Sequence, residues 1–220
     1  MTGKRNPLVI FDCDGVLMDS EAIASAVFAE HLANVGLDYS AADCRQHFTG
    51  LSLSSCERHI ADAHGIVLPE DFFSRLQAET YARFSQSLAP VPGAREVLDF
   101  LDDAGWRYCV ASSGSHEKMQ VTLSHTGLLP RLVNRLYSAS EVARGKPAPD
   151  LFLHAAQAER YAPVDCIVIE DSAPGMQAAL AAGMRVCAFV PRELAGQMKD
   201  TVAFTDMSEL PAILVAMQAN

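Results

Sequence analysis

The sequence is poor in lysine and in positive charge generally. Lysine occurs four times in 220 residues, at Lys4, Lys118, Lys146 and Lys199, and 17 basic side chains face 27 acidic ones. The resulting net charge of −10 repels phosphate backbones and anionic headgroups, so neither nucleic acid nor a membrane is expected as the partner. A small anionic molecule stays possible, because a few local cations can outweigh the global field. No run of 18 apolar residues exists, which excludes a membrane-spanning helix. The N-terminal Met-Thr-Gly-Lys-Arg-Asn-Pro enters the first strand-like run without the apolar stretch of a signal peptide, and a cytoplasmic location is expected. The six cysteines, Cys13, Cys44, Cys56, Cys109, Cys166 and Cys187, form no CxxC pair. Buried reduced thiols are expected there rather than disulfides or a zinc site.

What the chain does have is alternation. Half of it is hydrophobic, enough for one sizeable core with a smaller partner domain. Apolar, β-rich runs recur at 8–11, 106–111, 135–138, 166–170 and 185–190, with helix-like segments at 94–104, 117–125, 149–158 and 173–182. This order predicts an α/β fold, a Rossmann-like doubly wound parallel sheet with helices on both faces. Gly105 and Gly183 stand where helix-ending glycines belong. Ligands in such sheets bind at the carboxyl ends of the strands, and Asp12, Ser112 and Asp171 fall at or just after those ends.

The span 19–89 breaks the pattern. It reads as four helices, at 21–35, 41–47, 52–64 and 71–87, bracketed by Asp19-Ser20 and Ala89-Pro-Val-Pro-Gly93. The expected division is a core of residues 1–18 and 90–220 and an inserted α-helical cap of residues 19–89, entering after the first strand as a lid over Asp12. Asp19 looks like a helix-start residue and is left out of the candidate site.

Four separated segments carry chemistry. In Phe11-Asp12-Cys13-Asp14-Gly15 two carboxylates end a buried strand, where they repel each other and lose water. A hard cation with oxygen ligands relieves that cost, and one carboxylate can then act as a nucleophile; an ordinary acidic turn is the plain alternative. Val110-Ala111-Ser112-Ser113-Gly114-Ser115 ends a strand in small hydroxylic residues that could hydrogen-bond a phosphate, or cap a helix. Gly145-Lys146-Pro147-Ala148-Pro149 holds one lysine just ahead of a helix, where a solvated surface lysine is the alternative. Ile169-Glu170-Asp171-Ser172 ends a further strand in a second acidic pair, which could equally complement a helix dipole. Taken together, the four are hard to read as independent accidents of local structure.

This order of motifs resembles the haloacid dehalogenase superfamily over essentially the whole chain, in particular its β-phosphoglucomutase-like phosphatase branch. The resemblance implies Asp12 as nucleophile and Asp14 as general acid and base. It implies Mg²⁺ as cofactor, held by the side chains of Asp12 and Asp171, the backbone carbonyl of Asp14, and Glu170 nearby or through water. Ser112, Ser113 and Lys146 would bind the phosphate. No lysine lies in 21–88, so the Schiff-base chemistry of the related phosphonoacetaldehyde hydrolases is not expected. Relatives with mutase activity carry a cap histidine where Ala24 stands here, and an arginine where this chain reads Gly50-Leu51-Ser52-Leu53. Asp14, absent from haloacid dehalogenases proper, argues against dehalogenation. The expectation is a phosphatase of small phosphorylated metabolites, monomer or homodimer, whose cap is most similar to the 6-phosphogluconate phosphatase type. Arg45, His47, Arg58, Arg75 and Arg83 are available in that cap for an anionic substrate. A phosphosugar mutase and a non-catalytic phospho-ligand-binding protein are the alternatives.

Overall fold

A computed structural model describes residues 5–48, 53–195 and 200–219. Six strands form one wholly parallel sheet: β1 (Leu8–Phe11), β2 (Tyr108–Ser112), β3 (Leu136–Ser138), β4 (Cys166–Glu170), β5 (Arg185–Phe189) and β6 (Val202–Phe204), in the order β3-β2-β1-β4-β5-β6. The helices are α1 (Glu21–Asn34), α2 (Ala41–Phe48), α3 (Leu53–His64) and α4 (Phe72–Ser87), then α5 (Ala94–Asp103), α6 (His116–His125), α7 (Leu129–Leu132), α8 (Asp150–Glu159), α9 (Ala173–Ala181), α10 (Arg192–Ala195) and α11 (Leu210–Ala219). The doubly wound α/β fold read from the sequence is the fold observed.

Two compact units separate: one contains the chain through Met18 and from Pro90 onward, the other Asp19–Ala89. In the first, the central strands β1, β2 and β4 are buried along their whole length. Leu8, Ile10, Cys109, Ala111 and Val168 pack with Phe152 and Ala155 of α8 and Ala178 of α9, each large apolar side chain contributing roughly 1.5–3 kcal/mol by leaving water. Helices α5 and α9 end as the glycines predict: Gly105 and Gly183 both have positive φ, and Trp106 N–H reaches back to Leu101 O as Met184 N–H does to Ala179 O. The helical unit has its own core, in which Phe28 lies 4.8 Å from Phe48 between ring centroids and packs with Leu32, Ile60, Phe72 and Leu76. All six cysteines are buried and unbridged. Among the described residues no helix is long and apolar enough to cross a membrane.

The C-terminal part adds elements that the apolar periodicity does not signal. β6 is a three-residue edge strand with only Phe204 buried, too short for alternation to register. α11 reads Leu-Pro-Ala-Ile-Leu-Val-Ala-Met-Gln-Ala, apolar almost all round and therefore without a helical stripe. Ahead of it, Asp206 and Glu209 form a reciprocal capping box on the 3-10 turn Met207–Glu209 that leads into α11.

Candidate active site

Parallel register assembles the site. Phe11 pairs with Val110 on one side and Ile169 on the other, so Asp12, Ser112 and Glu170 leave the sheet at the same edge. The ladder runs one step further, Asp12 N–H donating to Ile169 O at 2.9 Å. That bond fixes Asp12 beside the end of β4 before the chain turns at Gly15.

Lys146 closes the first cluster. Its ammonium donates to Asp12 Oδ1 and, at 2.6 Å, to Glu170 Oε1, with only 5% of the side chain exposed. Glu170 is fully buried, and its Oε2 accepts from the amides of Asp171 and Ser172 and from the Ser172 hydroxyl at 2.8–2.9 Å. Gly175 makes room for it, since a Cβ there would lie 1.7 Å from Glu170 Oε1. Glu170, implied as a metal ligand by the resemblance, thus enters the structure as the anchor of Lys146 and the cover of the α9 N-terminus. Ser172, rather than an acid, is the N-cap of α9.

Burial pushes the Asp12 carboxyl from 3.8 up to about 7, with Glu170 and Asp14 adding to the push and Lys146 opposing it. Burial also works against the charge on Lys146, but Asp12 and Glu170 outweigh it and hold the ammonium above its ordinary range.

The second cluster involves a residue given no role in the sequence reading. Lys118 Nζ donates to Asp14 Oδ2 at 2.7 Å. Lys118 is the third residue of α6, whose N-cap is Ser115. A cation in the first turn of a helix opposes the macrodipole, and that misplacement was the available signal. Ser112 does not cap α6; its hydroxyl oxygen accepts from Gly114 N–H at 3.0 Å, which leaves the O–H to donate outward. Ser113 is exposed beside it. Asp19 makes no side-chain cap either, the N-cap of α1 being Ser20.

Asp171 lies against the turn after Asp14. A Cβ on Gly15, at φ +78°, would stand 2.1 Å from Asp171 Oδ2, so glycine is required there both for its backbone and for the carboxylate. Among the described residues no three His, Cys, Asp or Glu side chains group as a metal cluster. The ion that the resemblance implies is a hard one, taking two side-chain carboxylates, a carbonyl and waters. The donor chemistry fits such an ion: Lys146 meets Asp12 and Glu170, Lys118 meets Asp14, and Asp171 adds a further carboxylate against Gly15, an excess of negative charge that one divalent cation balances.

In the helical unit Arg83 is committed to Glu30, at 2.9 Å through Nη1, and to Glu79, while Arg75 pairs loosely with Asp71. Gly50, Leu51 and Ser52, which bear on mutase activity, lie outside the described residues, as do Lys4 and Lys199.

The pattern of the haloacid dehalogenase-like hydrolases matches residues 7–183. The 6-phosphogluconate phosphatase of Escherichia coli (strain K12) is 30% identical over 213 residues, covering 96% of this chain and 95% of that one. A haloacid dehalogenase-like protein of unknown function from Agrobacterium tumefaciens superposes with a TM-score of 0.84 at 30% identity, covering 96% of this chain and 99% of that one. A family hydrolase from Deinococcus radiodurans, crystallised with bound phosphate and sodium, superposes at 0.80 with 32% identity, covering 96% of each chain.

Proposed function

The chain belongs to the haloacid dehalogenase-like hydrolases, and we propose that it is a Mg²⁺-dependent phosphatase of small phosphorylated metabolites, sugar phosphates or sugar-acid phosphates such as 6-phosphogluconate. The observation that carries this reading is a buried carboxylate, Asp12, paired with Lys146 at one edge of the sheet together with Ser112 and a second acidic pair. The similarity to a 6-phosphogluconate phosphatase along nearly the whole of both chains supports the substrate class.

Asp12 attacks phosphorus, and the ester P–O bond breaks as Asp14 gives its proton to the leaving oxygen. The alcohol departs and the phosphoryl group stays on Asp12 as an acyl phosphate. Water then attacks phosphorus and passes a proton to Asp14; the bond to Asp12 breaks and inorganic phosphate leaves, restoring both aspartates. Lys146 and the Ser112 hydroxyl donate to the phosphoryl oxygens, with Ser113 adjoining, which is where fixed donors lower the barrier most. Asp12, Asp171 and the Asp14 carbonyl would hold the Mg²⁺, which when bound neutralises charge on the phosphoryl group. Glu170 acts through Lys146. In this reading the helical insert, residues 19–89, corresponds to the cap that the resemblance implies.

The test is phosphate release from a panel of phosphorylated metabolites, including 6-phosphogluconate and both glucose phosphates, with Mg²⁺ and with chelator. Metal-dependent release that chelation abolishes and added Mg²⁺ restores is expected. Interconversion of the glucose phosphates without net release would instead establish a mutase. Binding of these compounds without any conversion would establish a non-catalytic binding protein.

A further inference from the structure

We propose that Lys118 is a positioning residue for the acid–base chemistry of Asp14, its ammonium setting the direction in which the Asp14 carboxyl faces. The inference rests on the phosphatase reading above. Lys118 Nζ holds Asp14 Oδ2 at 2.7 Å, with 28% of the lysine side chain and 25% of the aspartate exposed. A group that must meet first a leaving oxygen and then a water loses rate when its direction wanders, and a charged donor on one of its oxygens fixes that direction.

Two features show that this contact is arranged rather than incidental. Lys118 sits in the first turn of α6, where its charge opposes the helix dipole, so α6 itself gains nothing from a cation there. The stem of Lys118 also passes close over Gly114, where a Cβ would lie 3.1 Å from Lys118 Cδ, 3.4 Å from Ser112 Oγ and 3.9 Å from Asp14 Oδ2. The missing side chain of Gly114 leaves the lysine its route across the loop that carries Ser112. Lys146 and Lys118 therefore divide the work: one serves the oxygen that attacks phosphorus, the other the group that delivers and later collects the proton.

The consequence falls on the first half-reaction. There the Asp12 oxygen bonds to phosphorus, the ester P–O bond breaks, and the Asp14 proton goes to the departing oxygen. An alkoxide needs that proton, whereas p-nitrophenolate leaves without it. Because kcat/KM reports the steps through loss of the leaving group, it isolates this demand. The experiment compares wild type, Lys118→Met, Lys118→Arg and Asp14→Asn on the best sugar phosphate of the panel and on p-nitrophenyl phosphate, with thermal melts of each.

Lys118→Met is expected to lose about 10- to 100-fold in kcat/KM on the sugar phosphate but no more than about threefold on the aryl ester. Lys118→Arg, which keeps a donor on Asp14, recovers most of the loss, and Lys118→Met adds no further loss in an Asp14→Asn background. Equal losses on both esters, or no loss on either, overturn the inference while leaving the phosphatase reading intact. A folded, Mg²⁺-loaded wild type that releases phosphate from neither ester overturns both.

Discussion

Two lysine–carboxylate clusters stand side by side in this site, and they are built on opposite plans. Lys146 is sealed between Asp12 and Glu170 with 5% of its side chain exposed, and the carboxylate behind it is stitched to the start of α9 by three further hydrogen bonds. Lys118 donates to one oxygen of Asp14, and both side chains are partly exposed. The first arrangement stakes the fold on its charges, since a buried ion without its partner is strongly destabilising. The second costs the fold little, because water stands in for either partner. A phosphoryl-transfer site needs both: an immobile charge where the phosphorus reacts, and a proton carrier that stays in touch with solvent.

The sharpest way to break this comparison is at Asp12. Asp12→Asn leaves Lys146 paired with Glu170 and so keeps the fold, yet removes the carboxylate that the proposed mechanism uses to attack phosphorus. Turnover is expected to fall at least about a thousandfold on every ester, aryl and alkyl alike, with cooperative unfolding retained. Phosphate release under Mg²⁺ together with circular dichroism checks this. Activity within tenfold of wild type would rule out the aspartyl-phosphate route and reduce Asp12 to a structural partner of Lys146.

Next in size comes the cost to stability of deleting each lysine. Lys146→Ala leaves Asp12 and Glu170 buried together, each forced to take up a proton or to draw in water, and is expected to cost about 3–5 kcal/mol. Lys118→Met is expected to cost less than about 1 kcal/mol. Urea unfolding in the presence of chelator, so that bound metal does not mask the difference, gives both values. Equal costs would show that the two clusters differ only in appearance.

Most of the sheet could be read from sequence because the central strands are buried on both faces and therefore written as unbroken apolar runs, while Gly105 and Gly183 mark helix ends through a backbone conformation few residues share. β6 and α11 escaped because one is too short and the other too uniformly apolar to show a period. Within the site, most of the residues that could be found were those on strand ends, where a polar group after an apolar run stands out; Lys146 was marked instead by Gly145 and the prolines that hold it ahead of α8. Lys118 is separated from Asp14 by 104 positions and sits on a helix among other polar residues, so its misplaced charge at the helix start is a faint signal and the three-dimensional crossing over Gly114 is what connects it to Asp14. The role of Glu170 was hidden for a related reason. Its identity as an acid is visible, but whether its oxygens face an ion or amide groups depends on the path of α9, and in the structure they face Lys146 and the first amides of that helix.

The finest probe of the two plans comes from two glycines, one on each side of the site. A Cβ at Gly175 would stand 1.7 Å from Glu170 Oε1 and 2.0 Å from its Cδ, atoms that are buried and hydrogen-bonded and have nowhere to go. Gly175→Ala is therefore expected to cost about 3 kcal/mol, as Glu170 loses its hold on Lys146. A Cβ at Gly114 would meet the flexible stem of Lys118 at 3.1 Å, and a stem can move aside. Gly114→Ala should shift stability by less than about 1 kcal/mol, partly offset by the lower chain entropy of alanine in the unfolded state. Yet it should weaken turnover of the sugar phosphate more than that of the aryl ester, in the manner of Lys118→Met, because the displaced lysine no longer reaches Asp14 in the same direction. Thermal melts and the two-ester comparison on both variants decide the matter. A Gly114→Ala protein as unstable as Gly175→Ala would mean that the Lys118 side of the site is as rigidly packed as the Lys146 side, and the division between a fixed charge and a solvated proton carrier would fail.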